Sequence, residues 1–78
     1  MESTMNTRFA EFCGVEELEV GMRCVVGGFP FDVLGGDGDS VDVVGVDRAA
    51  ATGLARLMRA AGFAVVSFPP VDMTVSLA

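Results

Sequence analysis

The ionisable side chains of this chain that could carry out chemistry are those of eleven acids, five arginines and two cysteines, because the sequence has no histidine, lysine or tyrosine. General acid–base catalysis would require a pair of carboxylates in an enclosed site, and a cysteine nucleophile would need a base such as histidine beside it. The acids fall in segments that the sequence predicts to be turns and helix caps, where water solvates them. We therefore expect no enzymatic activity.

The two cysteines, Cys13 and Cys24, are too few to complete a four-ligand zinc site within one chain that lacks histidine. Their spacing also differs from the C-x-x-C of a redox pair. Cys24 lies in an apolar strand, which favours a role as a small buried hydrophobe. A single disulfide between them requires that the fold bring the two thiols together. A carrier of thiols or metal that uses Cys13 and Cys24 is a third functional hypothesis, ranked behind the two described below.

The segment from Asp37 to Asp42 is similar to the start of a calcium-binding loop. An EF-hand needs glycine at the sixth position and normally has glutamate at the twelfth, whereas this chain has Asp42 and Arg48 there. The glycines at 27–28 and 35–38 are not followed by the lysine and hydroxyl residue of a phosphate-binding loop. The sequence predicts no metal and no cofactor.

The charge of the chain is strongly asymmetric. Residues 1–47 hold ten acids and two arginines, a net charge of −8, whereas residues 48–78 have a net charge of +2. Nucleic acids and anionic membranes would be repelled by such a surface, whereas a basic protein surface would be attracted to it. The alternative interpretation is that the acidity only keeps a small hydrophobic domain soluble, or reflects a halophilic source.

The candidate partner-binding residues are the acids of the predicted turns and of the first hairpin. They are Glu16, Glu17, Glu19, Asp32, Asp37, Asp39 and Asp42. In size, charge and compact α/β composition the chain resembles the small acidic inhibitors that phages encode against host defence, including anti-CRISPR and anti-restriction proteins. The resemblance implies a nucleic-acid mimic that docks on the basic nucleic-acid-binding surface of a larger complex.

A helix over residues 48–61 is the clearest element that could position these residues. Asp47 is suited to cap it, and Gly62 is suited to end it in a left-handed conformation. Gly53 conflicts with helix propensity, so it either lets the helix lie close to a sheet or is tolerated. The apolar positions recur with helical period. They are Ala50, Leu54, Leu57, Met58 and Ala61.

The strands are predicted on both sides of this helix. A first strand begins at Met22 and bends or bulges at Gly27–Gly28, and the turn at 35–40 joins it to a strand over 41–46. A strand over 63–68 follows the helix, and residues 71–77 alternate apolar and polar as a half-buried strand does. These patterns predict a single α+β domain over 1–78, with a mainly antiparallel sheet of about four strands in ββαββ order and one helix on one face.

The N-terminal segment carries the weakest pattern. Residues 1–8 are expected to fray, and short helical turns are expected up to Cys13 and at Val15–Leu18. Because the central strands are apolar on both faces and one helix covers only one of them, either Phe9 and Phe12 or a second subunit should cover the other face.

The sequence predicts a cytoplasmic protein, because no segment resembles a signal peptide or a membrane span. Two functional hypotheses follow. One is a non-enzymatic acidic module that binds a basic partner protein. The other is a small structural or accessory subunit that acts through an apolar sheet face as a homodimer.

Overall fold

The structure, a computed structural model, describes residues 4–78 and has α+β architecture. Residues 1–3, part of the segment predicted to fray, lie outside the described residues. The elements in chain order are α1 (Thr4–Cys13), β1 (Arg23–Val26), β2 (Phe29–Gly36), β3 (Ser40–Gly45), α2 (Arg48–Ala60), β4 (Phe63–Phe68) and β5 (Asp72–Leu77).

The five strands form one antiparallel sheet in the order β1-β2-β3-β5-β4. The prediction of about four strands was wrong because Gly27 and Gly28 form a two-residue turn between two strands, and not a bulge or bend within one strand. Both glycines have positive φ, 60° and 86°, as the tight turns that match the twist of a hairpin require. The turn divides the predicted first strand into β1 and β2. The predicted β2–β3 hairpin is present, with a loop at residues 37–39.

Helix α2 begins and ends as its sequence indicates. The Asp47 carboxylate accepts a hydrogen bond of 2.8 Å from the Ala50 amide, and Gly62 after the helix has a φ of 99°. The predicted apolar stripe was only partly right. Leu54 and Met58 are fully buried, but Leu57 is half-buried and Ala61 is exposed. The buried stripe is rotated towards two residues that the prediction left out, Ala51 and Ala55.

Gly53 allows close contact between α2 and the sheet. A Cβ at this position would lie 2.5 Å from two atoms of the Phe29 ring, closer than side-chain carbons approach one another. The ring therefore lies directly on the backbone of the helix. Of the two interpretations of Gly53 in the sequence, close packing is the one that the structure supports.

Residues 4–13 form one continuous helix, α1, so the expectation that residues 4–8 fray was wrong. Met5 and Phe9 are one helical turn apart, and both are buried against the sheet. This burial supplies the stability that helix propensity alone does not. The predicted helical turn at Val15–Leu18 is also absent, and residues 14–22 form bends and turns.

Both helices cover the same face of the sheet. Phe9 contacts Phe31 and Phe63, with ring centroids 6.2 and 5.6 Å away, and Leu54 and Met58 of α2 belong to the same core. Neither Phe9 nor Phe12 therefore covers the second face. We call this second face the outer face. It carries the alternate residues of all five strands, and neither helix of residues 4–78 covers it.

Candidate protein-binding surfaces

Residues 14–22 connect α1 to β1 and carry three of the predicted acids. Glu16, Glu17 and Glu19 are all exposed. The end of the segment is fixed to the sheet, because the Gly21 amide donates to the Val33 carbonyl at 2.7 Å. The Val33 amide donates in turn to the Met22 carbonyl at 3.0 Å. These bonds place the acidic segment against the end of the sheet where the β2–β3 hairpin turns.

The β2–β3 hairpin presents two more predicted acids, Asp37 and Asp39. The Asp37 carboxylate accepts hydrogen bonds of 3.0 Å from the amides of Asp39 and Ser40, and a third from the Ser40 hydroxyl. These donors favour the charged form of the carboxylate, so they lower the pKa of Asp37, and the Asp39 amide makes the largest contribution. Asp37 thus has a structural role in the turn as well as a charge on the surface.

Two open grooves border residues 14–22. One has a volume of about 180 Å³ and is lined by Leu18 and Glu19 on one side and by Gly36 and Gly38 of the hairpin on the other. The second lies beside α1 and has a volume of about 380 Å³. It is lined by Glu11, Glu16 and Glu17 among others, and it shares Asn6 and Leu18 with the first.

We call this region the acidic end and define it as Glu11, Glu16, Glu17, Glu19, Asp37 and Asp39. Sequence reasoning missed Glu11, although its exposed position in a helix that buries Phe9 gives a usable signal. Across the described range 4–78, no ion pair joins these carboxylates to an arginine. Their charges are therefore uncompensated within this part of the chain.

The other two predicted acids, Asp32 and Asp42, are not part of the acidic end. They lie on the outer face, where Asp32 forms an ion pair with Arg23 on the adjacent strand. The hydrogen bond from Arg23 lowers the pKa of Asp32, and the same contact raises the pKa of Arg23. Asp42 accepts a hydrogen bond of 2.7 Å from the Thr74 hydroxyl of β5.

The outer face also carries most of the exposed large hydrophobic side chains of the described chain. Four large hydrophobic side chains on it are at least half exposed: Val25, Leu34, Val66 and Phe68. Apolar side chains exposed on one sheet face favour an interaction surface. The acidic end and the outer face meet at the β2–β3 hairpin.

The arginines of α2 lie on its solvent side. Arg48, Arg56 and Arg59 are all exposed. Arg59 donates a hydrogen bond of 3.1 Å to the Val65 carbonyl of β4, a strand at the edge of the sheet. This bond occupies one carbonyl of an edge strand, which is one way in which proteins limit strand pairing with other chains.

The two cysteines are brought together by the packing of α1 on β1. Both are free thiols; Cys24 is buried, as predicted, and Cys13 is half-buried beside it. Burial, followed by the charge and the hydrogen bond of Cys24, raises the pKa of Cys13 to about 12. A thiol with so high a pKa is a poor nucleophile at neutral pH, because the thiolate is the reactive form.

Within residues 4–78, no group of three or more potential ligand side chains could hold a metal ion. None of the helices in this range is long and apolar enough to cross a membrane. Comparison with protein-family models, curated proteins and solved structures finds no match to the chain.

Proposed function

We propose that this protein is a non-catalytic binding module whose acidic end docks on the basic surface of a larger protein. The observation that carries the proposal is the groove in which Glu19 lies across from Gly36 and Gly38, because it brings together two segments that carry five exposed acids, three in residues 14–22 and two in the 37–39 loop. No arginine within residues 4–78 forms an ion pair with them. The specific version is a phage-type inhibitor of the anti-CRISPR or anti-restriction class that competes with nucleic acid for its binding site.

The energetics of these acids favour a role in binding over a role in folding. Glu16, Glu17 and Glu19 are exposed and have no ion-pair partner in the described chain, so their removal should cost the fold little. A surface of one sign accelerates association with an oppositely charged partner and repels like-charged competitors. These properties support a docking role for the acidic end.

A second candidate function is a homodimeric accessory subunit that acts through the outer face. The exposure of Leu34, Val66 and Phe68 on that face favours it, because a second copy would remove this apolar surface from water. Association through apolar contact should be insensitive to salt, whereas docking of the acidic end should weaken as salt rises. Sedimentation at low and high salt separates the two candidates.

The test of the proposed function is competition with nucleic acid. Purified CRISPR effector complexes and restriction enzymes are bound to fluorescent target DNA, and this protein is added at low salt. We expect it to displace DNA from at least one of these enzymes, and the Glu16→Gln/Glu17→Gln/Glu19→Gln variant to displace DNA less well. The absence of displacement across the panel would contradict the specific version of the proposal.

The matched control places the same change of net charge elsewhere. The triple glutamine variant has a net charge of −3 in place of −6. Adding three arginines to exposed positions of α2, by Ala49→Arg, Thr52→Arg and Ala60→Arg, gives the same net charge. The proposal predicts that only the glutamine variant loses activity. Equal losses of DNA displacement in the two variants would show that activity depends on the net charge of the protein and not on the acidic end.

A further inference from the structure

The outer face contains a groove with apolar side walls and carboxylates between them. Its volume is about 220 Å³, and its lining includes Leu34 of β2 and Phe68 of β4. These two side chains are 50% and 54% exposed, which leaves them free to contact a ligand. Between them lie Asp42 and Asp72, both exposed. The groove therefore combines apolar walls with two carboxylates.

The strand register fixes this arrangement. Asp72 lies opposite Phe68 on one side and opposite Val44 on the other, and Asp42 lies opposite Thr74. Asp42 and Asp72 are thus diagonal neighbours on one face of the sheet, about 7–8 Å apart in such pairs. The hydrogen bond from Thr74 holds the Asp42 carboxylate in place. Leu34 lies at the irregularity in the β2–β3 register between Val33 and Gly35.

This chemistry matches a long cationic side chain. Arginine and lysine lay their methylene stems along apolar surface while the charged head stays at a polar site. Arginine also stacks on aromatic rings and binds carboxylates with two parallel hydrogen bonds. Phe68 and Leu34 would contact the stem and guanidinium plane, and Asp42 and Asp72 would accept hydrogen bonds from the head.

The charge of the groove disfavours the other occupants of such a surface. No arginine lines it, and Arg23, elsewhere on the outer face, forms its ion pair with Asp32. A second copy placed face to face would bring four carboxylates, Asp42 and Asp72 of each copy, into one interface. Nucleic acid and anionic lipid would be repelled for the same reason.

We propose that the outer-face groove receives an arginine side chain of the partner protein. This inference rests on the proposed function: the acidic end attracts a basic surface of the partner, and the groove then binds one arginine side chain of that surface. The two regions are adjacent because Asp42 lies on β3, the strand that follows the 37–39 hairpin. The groove would supply the specificity that long-range charge does not.

The test uses octaarginine as the probe and charge-neutral substitutions. Leu34→Ser and Phe68→Ser remove the walls without changing net charge, and Val25→Ser is the matched control on the far strand of the same face. Cation–aromatic contacts at exposed sites contribute about 0.5–1 kcal/mol, so we expect about two- to fivefold weaker binding for Phe68→Ser. Leu34→Ser should weaken binding in the same direction, and Val25→Ser should not.

Amide chemical shifts in a titration of the ¹⁵N-labelled protein locate the probe independently of the variants. We expect shifts at Leu34, Asp42, Phe68 and Thr74, and smaller ones with octalysine, which cannot stack. Shifts confined to the acidic end, with wall variants that bind like the control, would overturn the groove while leaving the proposed function intact. Concentration-dependent dimerisation that protects the outer face would overturn it in favour of a second copy.

Absence of saturable, salt-dependent binding of octaarginine to the wild-type protein would count against the groove and the proposed function together. Loss of binding in the Glu16→Gln/Glu17→Gln/Glu19→Gln variant, with full retention in Phe68→Ser, would count against the groove alone. The folded state of each variant is checked by its own amide spectrum.

Discussion

The contact between Gly53 and the Phe29 ring predicts that a normally stabilising substitution will be harmful. Gly53→Ala should gain about 1 kcal/mol of helix propensity. The new methyl carbon would lie 2.5 Å from the Cε2 and Cζ atoms of Phe29, so the ring must leave its packed position. Overpacking of this kind costs about 1–3 kcal/mol. The net effect should be a loss of up to about 2 kcal/mol in the free energy of unfolding.

A double-mutant cycle measured by urea unfolding separates the two contributions. In a Phe29→Ala background the steric conflict is gone, and Gly53→Ala should then stabilise the protein by about 1 kcal/mol. The coupling between the two sites should therefore be about 1–3 kcal/mol. Comparison of Arg56→Ala with Arg56→Gly gives the propensity contribution at an exposed position of the same helix. Full stabilisation by Gly53→Ala in the wild-type background would refute the packing of Phe29 on α2.

Three further predictions concern the core and two titrating groups. Leu54→Ala should lower the free energy of unfolding, measured in urea, by about 2–5 kcal/mol because Leu54 is fully buried. Leu57→Ala should lower it by less, because Leu57 is half-buried. Equal losses would contradict the orientation of α2. Cys13 has a raised pKa in the folded state, so its contribution to stability is complete below about pH 9 and is lost as pH rises towards about 12. Cys13→Ser should therefore lose less stability than wild type between pH 9 and 11, and parallel losses would contradict the burial of this thiol. The pKa of Asp37 is lowered, so the stabilisation by its carboxylate is present above about pH 4 and is lost at lower pH as the carboxylate protonates. A carbon-detected NMR titration should place the pKa of Asp37 below that of an aspartate in an unfolded chain. An ordinary pKa would contradict the hydrogen-bonded hairpin turn.

Local patterns were sufficient to predict the elements on the C-terminal side. The cap at Asp47 and the helix that follows depend on contacts within one or two turns, and both were confirmed. In β5, Met73 and Val75 are buried as their alternation with polar residues indicated. The helix stripe was displaced by about one position because Ala51 faces Gly45, where the absence of a side chain allows the helix to approach.

The N-terminal half required tertiary information. Helix α1 contains threonine and asparagine near its start and is held by burial of Met5 and Phe9, which the local sequence does not reveal. A pair of glycines is equally compatible with a bulge and with a turn, and the choice at Gly27 and Gly28 depends on which residues pair across it. The number of strands therefore could not be fixed from the sequence.

The same reasoning applies to the candidate site. The sequence identified exposed acids, because charge and turn chemistry are local properties. It did not show that Glu19 lies beside the β2–β3 hairpin, since that position depends on the hydrogen bond from the Gly21 amide to the Val33 carbonyl and on the one from the Val33 amide to the Met22 carbonyl. Nor did it separate Asp32 and Asp42 from the acidic end, because the face of a strand residue depends on register.

The association rate with a basic protein, measured as a function of salt, tests the central claim most directly. Protamine is the probe, and stopped-flow fluorescence at increasing ionic strength is the assay. We expect the wild-type rate to fall steeply with salt, because charges are screened beyond about 8–10 Å near physiological ionic strength. The rate of the Glu16→Gln/Glu17→Gln/Glu19→Gln variant should be lower and less salt-dependent than that of the α2 arginine control at the same net charge. Identical rates for these two variants at every salt concentration would contradict the acidic end as the docking surface.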